Sequence, residues 1–445
     1  MRIPKSPPPA HELVGNDDIN QFVEFSTSAV GNEFVSEVNR KYLHWDKFRF
    51  YERPKGVSEK VAWAVVKTTR ASQMKDVGID LGTGSPSYWI PPHHAEWLHY
   101  VDKYAGGSIT SLADVASDKE KYLINSLMEE AIASSQLEGA TTTRVEAKRM
   151  LRTQRTPKDR AEQMIVNNYN AIMEIRELKD EPFTPALVRN IQEIITEKTL
   201  DDESAAGRFR TTDDPPVVVG DNYGNVIFTP PEPYLVEDYV SNICEFANEK
   251  PDTFIHPAVK AIAIHFAIGF THPFLDGNGR TARALFYWHM LREGYWLFEY
   301  LPISRIFLNA PAKYARAYLY TETDGNDLTY FSDYHLSVIV RAIEELRTYL
   351  TKQASDMLEA KSLLDGWTDK LNHRQIALLH DAIKHPGKNY TIKHHAGTHH
   401  VTNATARSDL FELQRQYHLL KVVKEGRKWV FTPEPRMLKK LKPKS

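Results

Sequence analysis

Cysteine is almost absent from this chain of 445 residues, and so are long apolar runs. The single cysteine, Cys244, cannot form an internal disulfide, which fits a chain kept in a reducing cytoplasm. No stretch approaches the ~18 consecutive apolar residues that a membrane-spanning helix needs. The proline-rich start, residues 1–9, lacks the apolar run of a signal peptide. The sequence therefore predicts a cytoplasmic protein without membrane contact.

Net charge is also scarce, since 56 Lys and Arg against 58 Asp and Glu leave a formal charge of −2. Such a balance provides no overall attraction to nucleic acid or to anionic membranes. Hydrophobic residues make up 42% and charged residues 26%, which is typical of a folded globular protein and not of a disordered one. A chain of this length is expected to form two or three domains.

The most informative stretch of the chain runs from His272 to Arg283. Its turn, residues 276–279, contains two glycines and an asparagine, which tolerate left-handed backbone. Such a turn can aim successive N–H groups at one point and form a nest for phosphate oxygens. A helix is predicted next, over Ala282–Glu293, and the N-terminus of a helix favours anions. Arg280 and Arg283 are three residues apart and share a helix face, so their guanidinium groups suit two phosphates of a nucleotide.

Two further side chains of this stretch point to chemistry. Asp276 offers a hard oxygen ligand for Mg²⁺, which usually takes one or two carboxylates together with substrate phosphates. His272 can accept a proton from a hydroxyl at neutral pH, because the reference pKa of a histidine is near ~6.5.

Residues 272–283 resemble the motif of the Fic family, His-x-Phe-x-(Asp/Glu)-Gly-Asn-Gly-Arg-x-x-Arg, at every specified position. The resemblance implies a protein adenylyltransferase, which moves AMP from ATP to a Ser, Thr or Tyr hydroxyl. It implies that His272 is the catalytic base and that Asp276 holds Mg²⁺ between the α- and β-phosphates. Phe274 is predicted to be a core residue that pins the loop. The residues that would bind ATP are Gly277, Asn278 and Gly279, as an anion hole, and Arg280 and Arg283, at the β- and γ-phosphates.

A second motif lies upstream, near the end of a helix predicted over residues 119–141. Ser134, Glu138 and Gly139 match the inhibitory motif of the same family, (Ser/Thr)-x-x-x-Glu-(Gly/Asn). Ser134 and Glu138 are four residues apart and so lie on one helix face. A carboxylate presented to Arg283 would form a bidentate pair and occupy the guanidinium that the γ-phosphate would otherwise use. The alternative is an ordinary glutamate paired with an Arg or Lys on a solvated helix.

A hairpin is predicted before the catalytic motif, from two β-branched runs around an Asn/Gly turn at residues 217–220 and 226–229. The resemblance implies that this hairpin is a flap that holds the target segment by main-chain pairing. Val218, Val219 and Gly220 are therefore the candidate target-binding residues. The alternative is a hairpin that only covers the core.

Three other side chains of the core are ambiguous. By analogy with the family, Tyr314 is the candidate for packing on the adenine or ribose, and plain core packing is the alternative. His256 and His265 lie on the helix before the motif, but no third ligand follows at a suitable spacing. They are predicted to be structural, and Mg²⁺ is the only metal predicted.

The C-terminal segment 373–445 is basic, with fifteen Lys or Arg against five Asp or Glu. Three predicted helices followed by a hairpin indicate a winged helix-turn-helix domain, which Fic proteins often carry in this place. Its charge would suit DNA phosphates, whereas protein docking is the alternative. Base contacts would come from Asn403, Thr405, Arg407 and Ser408, with Arg427 and Lys428 on the wing. A histidine cluster, predicted to be an exposed loop and not a metal site, comprises His394, His395, His399 and His400.

The predicted fold is mainly α, with a helical Fic core and a β-hairpin flap. An aromatic-rich N-terminal region (1–110) precedes the core with its inhibitory helix (111–355), and a winged helix-turn-helix domain (372–435) follows. The predicted function is self-inhibited, Mg²⁺-dependent transfer of AMP from ATP to a target protein, with release of pyrophosphate. Two alternatives stay open: removal of AMP from a modified protein, and a DNA-binding regulator whose Fic core senses nucleotide. A homodimer is a further option for the assembly.

Overall fold

The computed structural model describes residues 2–82, 84–106, 119–220, 224–249, 254–399, 401–426 and 428–441. The chain is mainly helical, as predicted, and the strands within these ranges form three small antiparallel sheets. The described residues divide into two compact units, one ending at Leu346 and the other beginning at Arg347. Within the described ranges, none of the helices is both long and apolar enough to cross a bilayer.

The first unit begins with short helices around an aromatic core. Trp45, Phe48 and Trp63 pack together there, with ring centroids between 4.8 and 6.0 Å apart. Nη1 of Arg70 donates to the hydroxyl of Tyr330 at 2.7 Å, so this region is bonded to the helical core within one unit. Its elements are α1 (Ala10–Leu13), α2 (Ile19–Thr27), α3 (Ala29–Arg40), α4 (Trp45–Phe48), α5 (Glu59–Ala71), β1 (Lys75–Asp76), β2 (Ser87–Tyr88) and α6 (Pro92–Val101).

The helical core follows with ten helices and one hairpin in the described residues. These are α7 (Lys119–Leu137), α8 (Arg144–Thr153), α9 (Arg160–Glu177), α10 (Pro185–Thr196), β3 (Val219–Gly220), β4 (Val226–Phe228), α11 (Val236–Asn248), α12 (Pro257–Thr271), α13 (Asn278–Arg292), α14 (Ile303–Asn309), α15 (Pro311–Thr323) and α16 (Thr329–Asp365).

Helices α12 and α13 form the centre of the core. Almost every residue of α12 is buried, which is the placement expected of a helix that is apolar on all sides. Helix α13 packs along it, and the segment 272–277 connects the two. The connecting loop is therefore held at both ends by buried helices.

Two parts of the core differ from the helices that their sequence pattern predicts. The pattern of residues 145–173 predicts one helix, but that helix is interrupted, because Gln154 adopts a left-handed conformation (φ +51°) and Pro157 follows it. The pattern further on predicts two helices, over 328–354 and 356–370, but the structure has the single helix α16 there. Its residues contain no proline or glycine that would end it earlier.

A third correction concerns the catalytic motif itself. Helix α13 begins at Asn278 and not at Ala282. Gly277, with φ +84°, ends the loop and is the N-cap residue, so the next residues already belong to the first helical turn. A Cβ on Gly277 would also lie 2.9 Å from Cγ2 of Thr196, so this position requires glycine for space as well as for conformation.

The second unit contains α17 (His373–Lys384), β5 (Tyr390–Thr391), α18 (Ile392–His399), α19 (Asn403–Arg415), β6 (Leu420–Glu425), β7 (Lys428–Pro433) and α20 (Met437–Leu441). Its sheet has the order β5-β7-β6, with Tyr390 opposite Phe431 and Val423 opposite Val430. The order of three helices and a hairpin is the one expected of a winged helix-turn-helix. Assignment of the unit to that class, and the DNA-contact residues, stay predictions, and Arg427 lies outside the described residues.

The prediction of an exposed histidine loop in this unit was wrong. Most of the cluster lies on α18, and His395 is buried with Nε2 at 3.2 Å from Oδ2 of Asp409. Asp409 also accepts from Nε of Arg374 at 2.7 Å. His395 is thus part of the packing between α17, α18 and α19, and His400 lies outside the described residues.

Candidate active site

The loop between α12 and α13 begins with a strained residue. His272 ends α12 with φ +49° and ψ +57°, a left-handed conformation that residues other than glycine rarely adopt. Such conformations persist only where the surroundings hold them, and they concentrate at functional sites. The strain turns the chain sharply and brings the imidazole into the wall of the cavity described below.

The side chain of Asn278 fixes the shape of this loop. Its Oδ1 accepts from the N–H of Phe274 at 2.9 Å, and its Nδ2 donates to the carbonyl of Phe274 at 2.8 Å. Phe274 is fully buried, as predicted, and its ring lies 5.3 Å from that of Phe209. The side chain of Asn278 therefore holds the loop in its conformation, and Asn278 also borders the cavity.

His272 is held in one tautomer. Its Nδ1 lies 3.1 Å from the carbonyl oxygen of Gly269, which can only accept, so Nδ1 carries the proton and Nε2 has the lone pair. Burial lowers the pKa of His272, and the carbonyl contact only partly offsets this effect. The imidazole is thus neutral at physiological pH and able to take a proton through Nε2.

Arg210 supports the loop from outside the motif, in a position that the sequence did not predict. Its guanidinium donates to three backbone carbonyls: those of His272 at 2.7 Å, Thr271 at 3.1 Å and Pro231 at 2.6 Å. Its own N–H donates to the carbonyl of Pro273 at 2.9 Å. An arginine before the flap is the only signal in the sequence, because the partners are distant along the chain.

Arg283 joins the two sequence motifs. Its Nη2 donates to Oε1 of Glu138 at 2.8 Å, and Nε donates to Oγ of Ser134 at 2.8 Å. Nη2 also donates to the carbonyl of Ser134 at 2.9 Å. The predicted bidentate pair was wrong in this respect, because Ser134 takes Nε and one guanidinium nitrogen serves the carboxylate. Gly139, with φ +94°, follows the end of α7 and turns the chain away.

Charge and space favour the pairing of Glu138 with Arg283. Desolvation in the cavity wall opposes ionisation of Glu138, but the charge and hydrogen bond of Arg283, together with the charge of Arg280, outweigh this effect and lower the pKa of the carboxyl. A Cβ on Gly279 would lie 2.2 Å from Oε1 of Glu138 and 3.2 Å from Nη1 of Arg283. Nη1 has no hydrogen-bond partner among the described residues. Gly279 therefore leaves room for the carboxylate beside the guanidinium of Arg283.

Arg280 occupies a different place from the one predicted. It is fully buried and does not border the cavity, and its Nη1 donates to the carbonyl of Ile195 at 3.0 Å. Burial lowers the pKa of Arg280, and Nη2 lies 3.5 Å from Oδ2 of Asp276. Arg280 and Arg283 share a helix face, but tertiary packing places one beneath the loop and the other in the cavity wall.

Asp276 is positioned as a metal ligand would be. Oδ1 accepts from the N–H of Gly277 at 2.6 Å, which orients the carboxylate at the start of α13. The side chain is 41% exposed and borders the cavity, and Oδ2 lies 3.4 Å from Nη2 of Arg160. One oriented, accessible carboxylate beside a helix N-terminus fits the way Mg²⁺ is held when phosphates supply other ligands.

A cavity of about 510 Å³ brings most of the predicted residues together. One wall is the flap, where Val219 pairs with Phe228 and Gly220 with Val226. The predicted flap residue Val218 is exposed and lies just before β3, and the predicted turn residues 221–223 lie outside the described residues. The other walls contain the predicted residues Glu138, His272, Asp276, Gly277, Asn278, Gly279, Arg283 and Tyr314.

Tyr314 borders the cavity but is engaged in packing. Its ring stacks on Phe307 with centroids 4.6 Å apart, and its hydroxyl lies 2.8 Å from Nε2 of His265. Its stacking on Phe307 fits core packing, whereas contact with the adenine or ribose stays a prediction. His265 and His256 are buried and bonded to Tyr314 and Asp102, respectively, as expected of structural histidines.

Residues 182–290 match the model of the Fic/DOC family, so the chain carries a Fic domain. The protein adenylyltransferase fic-1 of Caenorhabditis elegans is 38% identical over 94 residues, or 21% of this chain and 17% of that protein. The protein adenylyltransferase Fic of Nematostella vectensis is 34% identical over 90 residues, or 20% of this chain and 19% of that protein. Proteins named adenylyltransferases thus share this domain, although the chain spans less than a fifth of their length.

Solved structures show the same fold. A Fic family protein from Desulfovibrio desulfuricans aligns with a TM-score of 0.55 at 18% identity, covering 79% of this chain and 98% of that one. A variant of Fic-1 from C. elegans aligns with a TM-score of 0.50 at 17% identity, covering 78% and 90%. The helical architecture is therefore that of the Fic fold.

Proposed function

We propose that this protein transfers AMP from ATP to a hydroxyl side chain of a target protein, and that Glu138 restrains the transfer. One observation carries the proposal. The contact between Glu138 and Arg283 lies in the same cavity as His272 and the start of α13. A proton acceptor, an anion-binding helix start and a guanidinium already matched to an anion thus border one space.

The start of α13 supports binding of the triphosphate. The first N–H groups of a helix have no intrahelical partner, and they favour anions. Asn278 and Gly279 are the first two residues of α13, and both border the cavity. Arg283 adds a positive charge in the cavity wall. Phosphate oxygens are therefore the ligands that this end of the cavity suits.

The chemistry follows from the tautomer of His272. A target hydroxyl that lies near Nε2 gives up its proton to that nitrogen as its oxygen attacks the α-phosphorus of ATP. The bond between the α-phosphorus and the bridging oxygen breaks, and pyrophosphate leaves with the bond electrons. The result is an AMP ester on the target and a protonated His272, which then loses its proton to solvent.

Mg²⁺ would be held by Asp276 together with phosphate oxygens of the substrate. When bound, the ion neutralises the charge that develops on the departing pyrophosphate. Asp276 itself presents an oriented oxygen, because Gly277 holds the other one.

The flap supports recognition of an extended target segment. In the described residues β3 pairs only with β4, so its second edge is open to another strand. The exposed Val218 lies at the start of this edge. Main-chain pairing there would bring a target side chain over the cavity with little dependence on target sequence.

The restraint acts through the orientation of ATP. As long as Glu138 accepts from Arg283, the guanidinium cannot turn fully to the γ-phosphate, and a second negative charge faces the phosphates. ATP then binds with its α-phosphorus misplaced for attack, and a small misplacement costs much rate. Removing the carboxylate should therefore activate the enzyme.

The test uses the full chain with Mg²⁺ and ATP labelled at the α-phosphate. Glu138→Gly should incorporate label at least severalfold faster than wild type, and Glu138→Gly with His272→Ala should incorporate none. Equal rates in wild type and Glu138→Gly would contradict the restraint. Binding of ATP without label transfer in any variant would contradict AMP transfer, and release of AMP from a modified protein would then identify the reverse reaction.

A further inference from the structure

The cavity has a second end that the phosphate-binding residues do not explain. Ile227 and Phe228 of the flap and Leu319 of α15 border it, and they are apolar. One carboxyl group, that of Glu322, lies in the same lining. An apolar pocket with one polar group is typical of a ligand site in which the polar group sets orientation and specificity.

The position of Glu322 matches the length of a nucleotide. Tyr314, Tyr318 and Glu322 are four residues apart on α15, share one face and all border the cavity. Tyr314 interacts with Arg283, at the phosphate end. At 1.5 Å per residue, Glu322 lies about 12 Å further along the helix axis. This is comparable with the distance from the terminal phosphate to the base of an extended nucleoside triphosphate.

The carboxyl of Glu322 lies in the cavity lining and is partly exposed. It makes no hydrogen bond and no ion pair within the described parts of the chain. Burial raises the pKa of Glu322 to about 8. A ligand that displaces water from this carboxyl must replace the hydrogen bonds of the water, because an unpaired polar group in an apolar pocket is costly.

We propose that Glu322 binds the edge of the donor's nucleobase and selects adenine over guanine while its carboxyl is protonated. This proposal rests on the proposed function for the placement of the triphosphate. A protonated carboxyl offers one donor and one acceptor, which complement N7 and the amino group of adenine. An ionised carboxyl only accepts, and it suits the two adjacent N–H donors of guanine instead.

Glu322 is the group of this lining whose charge changes between about pH 7 and about pH 9. On α15, burial raises the pKa of Tyr314 and of Tyr318, so both stay neutral. In the loop, burial lowers the pKa of His272, which also stays neutral. The flap residues of the lining do not titrate, and the charged groups that remain are Glu138, Asp276 and Arg283.

The test measures binding of Mg-ATP and Mg-GTP by calorimetry to the full chain carrying His272→Ala, so that no transfer occurs. From about pH 7 to about pH 9, the preference for ATP should fall by about tenfold, the loss of one or two hydrogen bonds. Glu322→Gln should keep the preference at both pH values, because its amide retains a donor and an acceptor. Glu322→Ala should lose the preference for ATP at both pH values. Glu344→Gln, an exposed position on α16, is the matched control and should behave like the parent.

Label transfer by Glu138→Gly, measured in parallel, separates the two proposals. A preference for ATP that changes with pH in the parent, but not in Glu322→Gln, supports the Glu322 proposal even if no transfer is found, in which case only AMP transfer fails. Transfer with a preference that does not change with pH, or that survives in Glu322→Ala, would overturn the assignment of Glu322. If neither nucleotide binds, both proposals are overturned.

Discussion

The two ends of the cavity differ in how their polar groups are held. At the phosphate end, Asn278 and Arg210 brace the loop, and Arg283 is bonded to Ser134 and Glu138. At the other end the lining is apolar and the one carboxyl, on Glu322, has no partner in the described residues. The first end is organised before any ligand arrives, whereas no side chain of the described residues holds the carboxyl at the second end in place.

This difference shows what each end can contribute. Preorganised donors stabilise charge without reorganisation during a reaction, which is the requirement for phosphoryl transfer. An apolar pocket with one unsatisfied group contributes selection between ligands, because the wrong ligand leaves that group unpaired. The following predictions test how far the phosphate end depends on its preorganisation.

The largest effect is expected from Arg283. In the Glu138→Gly background, Arg283→Gln should lower kcat/KM for ATP by about 100- to 1,000-fold, the cost of one preorganised donor to a reacting anion. Arg280→Gln is the matched comparison. It should lower kcat/KM less than Arg283→Gln does, and lower the melting temperature more, because Arg280 is buried beneath the loop. Steady-state kinetics and thermal unfolding measure the two. Equal kinetic losses would show that the triphosphate reaches both arginines.

A smaller effect is expected from Arg210, which touches the loop and not the cavity. Arg210→Ala removes donors to the carbonyls of His272 and Thr271 and should lower kcat by about 10- to 100-fold by misplacing the imidazole. Arg208→Ala is the control, since Arg208 pairs with Asp214 on the same segment. A loss confined to KM would contradict a positioning role for Arg210.

The pH dependence of transfer should report the protonation of His272. Because burial lowers the pKa of His272 below its ordinary 6.5, the base stays neutral as pH falls through that value. In Glu138→Gly, kcat/KM should be near its plateau at pH 6.5 and fall about tenfold per pH unit well below that. A midpoint above 6.5 would place the base in a more exposed or more negative environment.

The smallest effect is expected on stability. Asn278→Ala leaves the buried N–H and carbonyl of Phe274 without partners, which should lower the free energy of unfolding by about 1–3 kcal/mol. Thermal unfolding of the variant and of Asn32→Ala, an exposed position on α3, gives the comparison. Equal melting temperatures would mean that water replaces the lost bonds.

Much of the architecture could be predicted because it depends on local pattern. The helical class, the hairpin before the motif and the order of elements in the second unit follow from periodicity and turn residues. The wrong helix boundaries have local causes as well. Gln154 shows no left-handed preference in the sequence, and Gly277 could be expected either to lie within the turn or to end it.

Some residues of the candidate site could be predicted from local sequence motifs, and others could not. The residues of 272–283 and of the segment ending at Gly139 were predicted together, and the structure brings Glu138, His272 and Arg283 to one cavity. Arg210 and Glu322 were not predicted. No nearby residue distinguishes them from a surface arginine or a helix glutamate.

The sequence alone determined which groups are available for chemistry: an imidazole, a carboxylate, two guanidinium groups and a glycine-rich helix start, all in one short segment. Only the tertiary structure decided how they are used. It placed Arg283 in the cavity and Arg280 beneath the loop, although both share one helix face. It also placed Glu322 in the cavity lining, where the carboxyl has no partner among the described residues. The physical reason is that spacing along a helix determines direction, whereas burial and hydrogen-bond partners depend on segments far away in the chain.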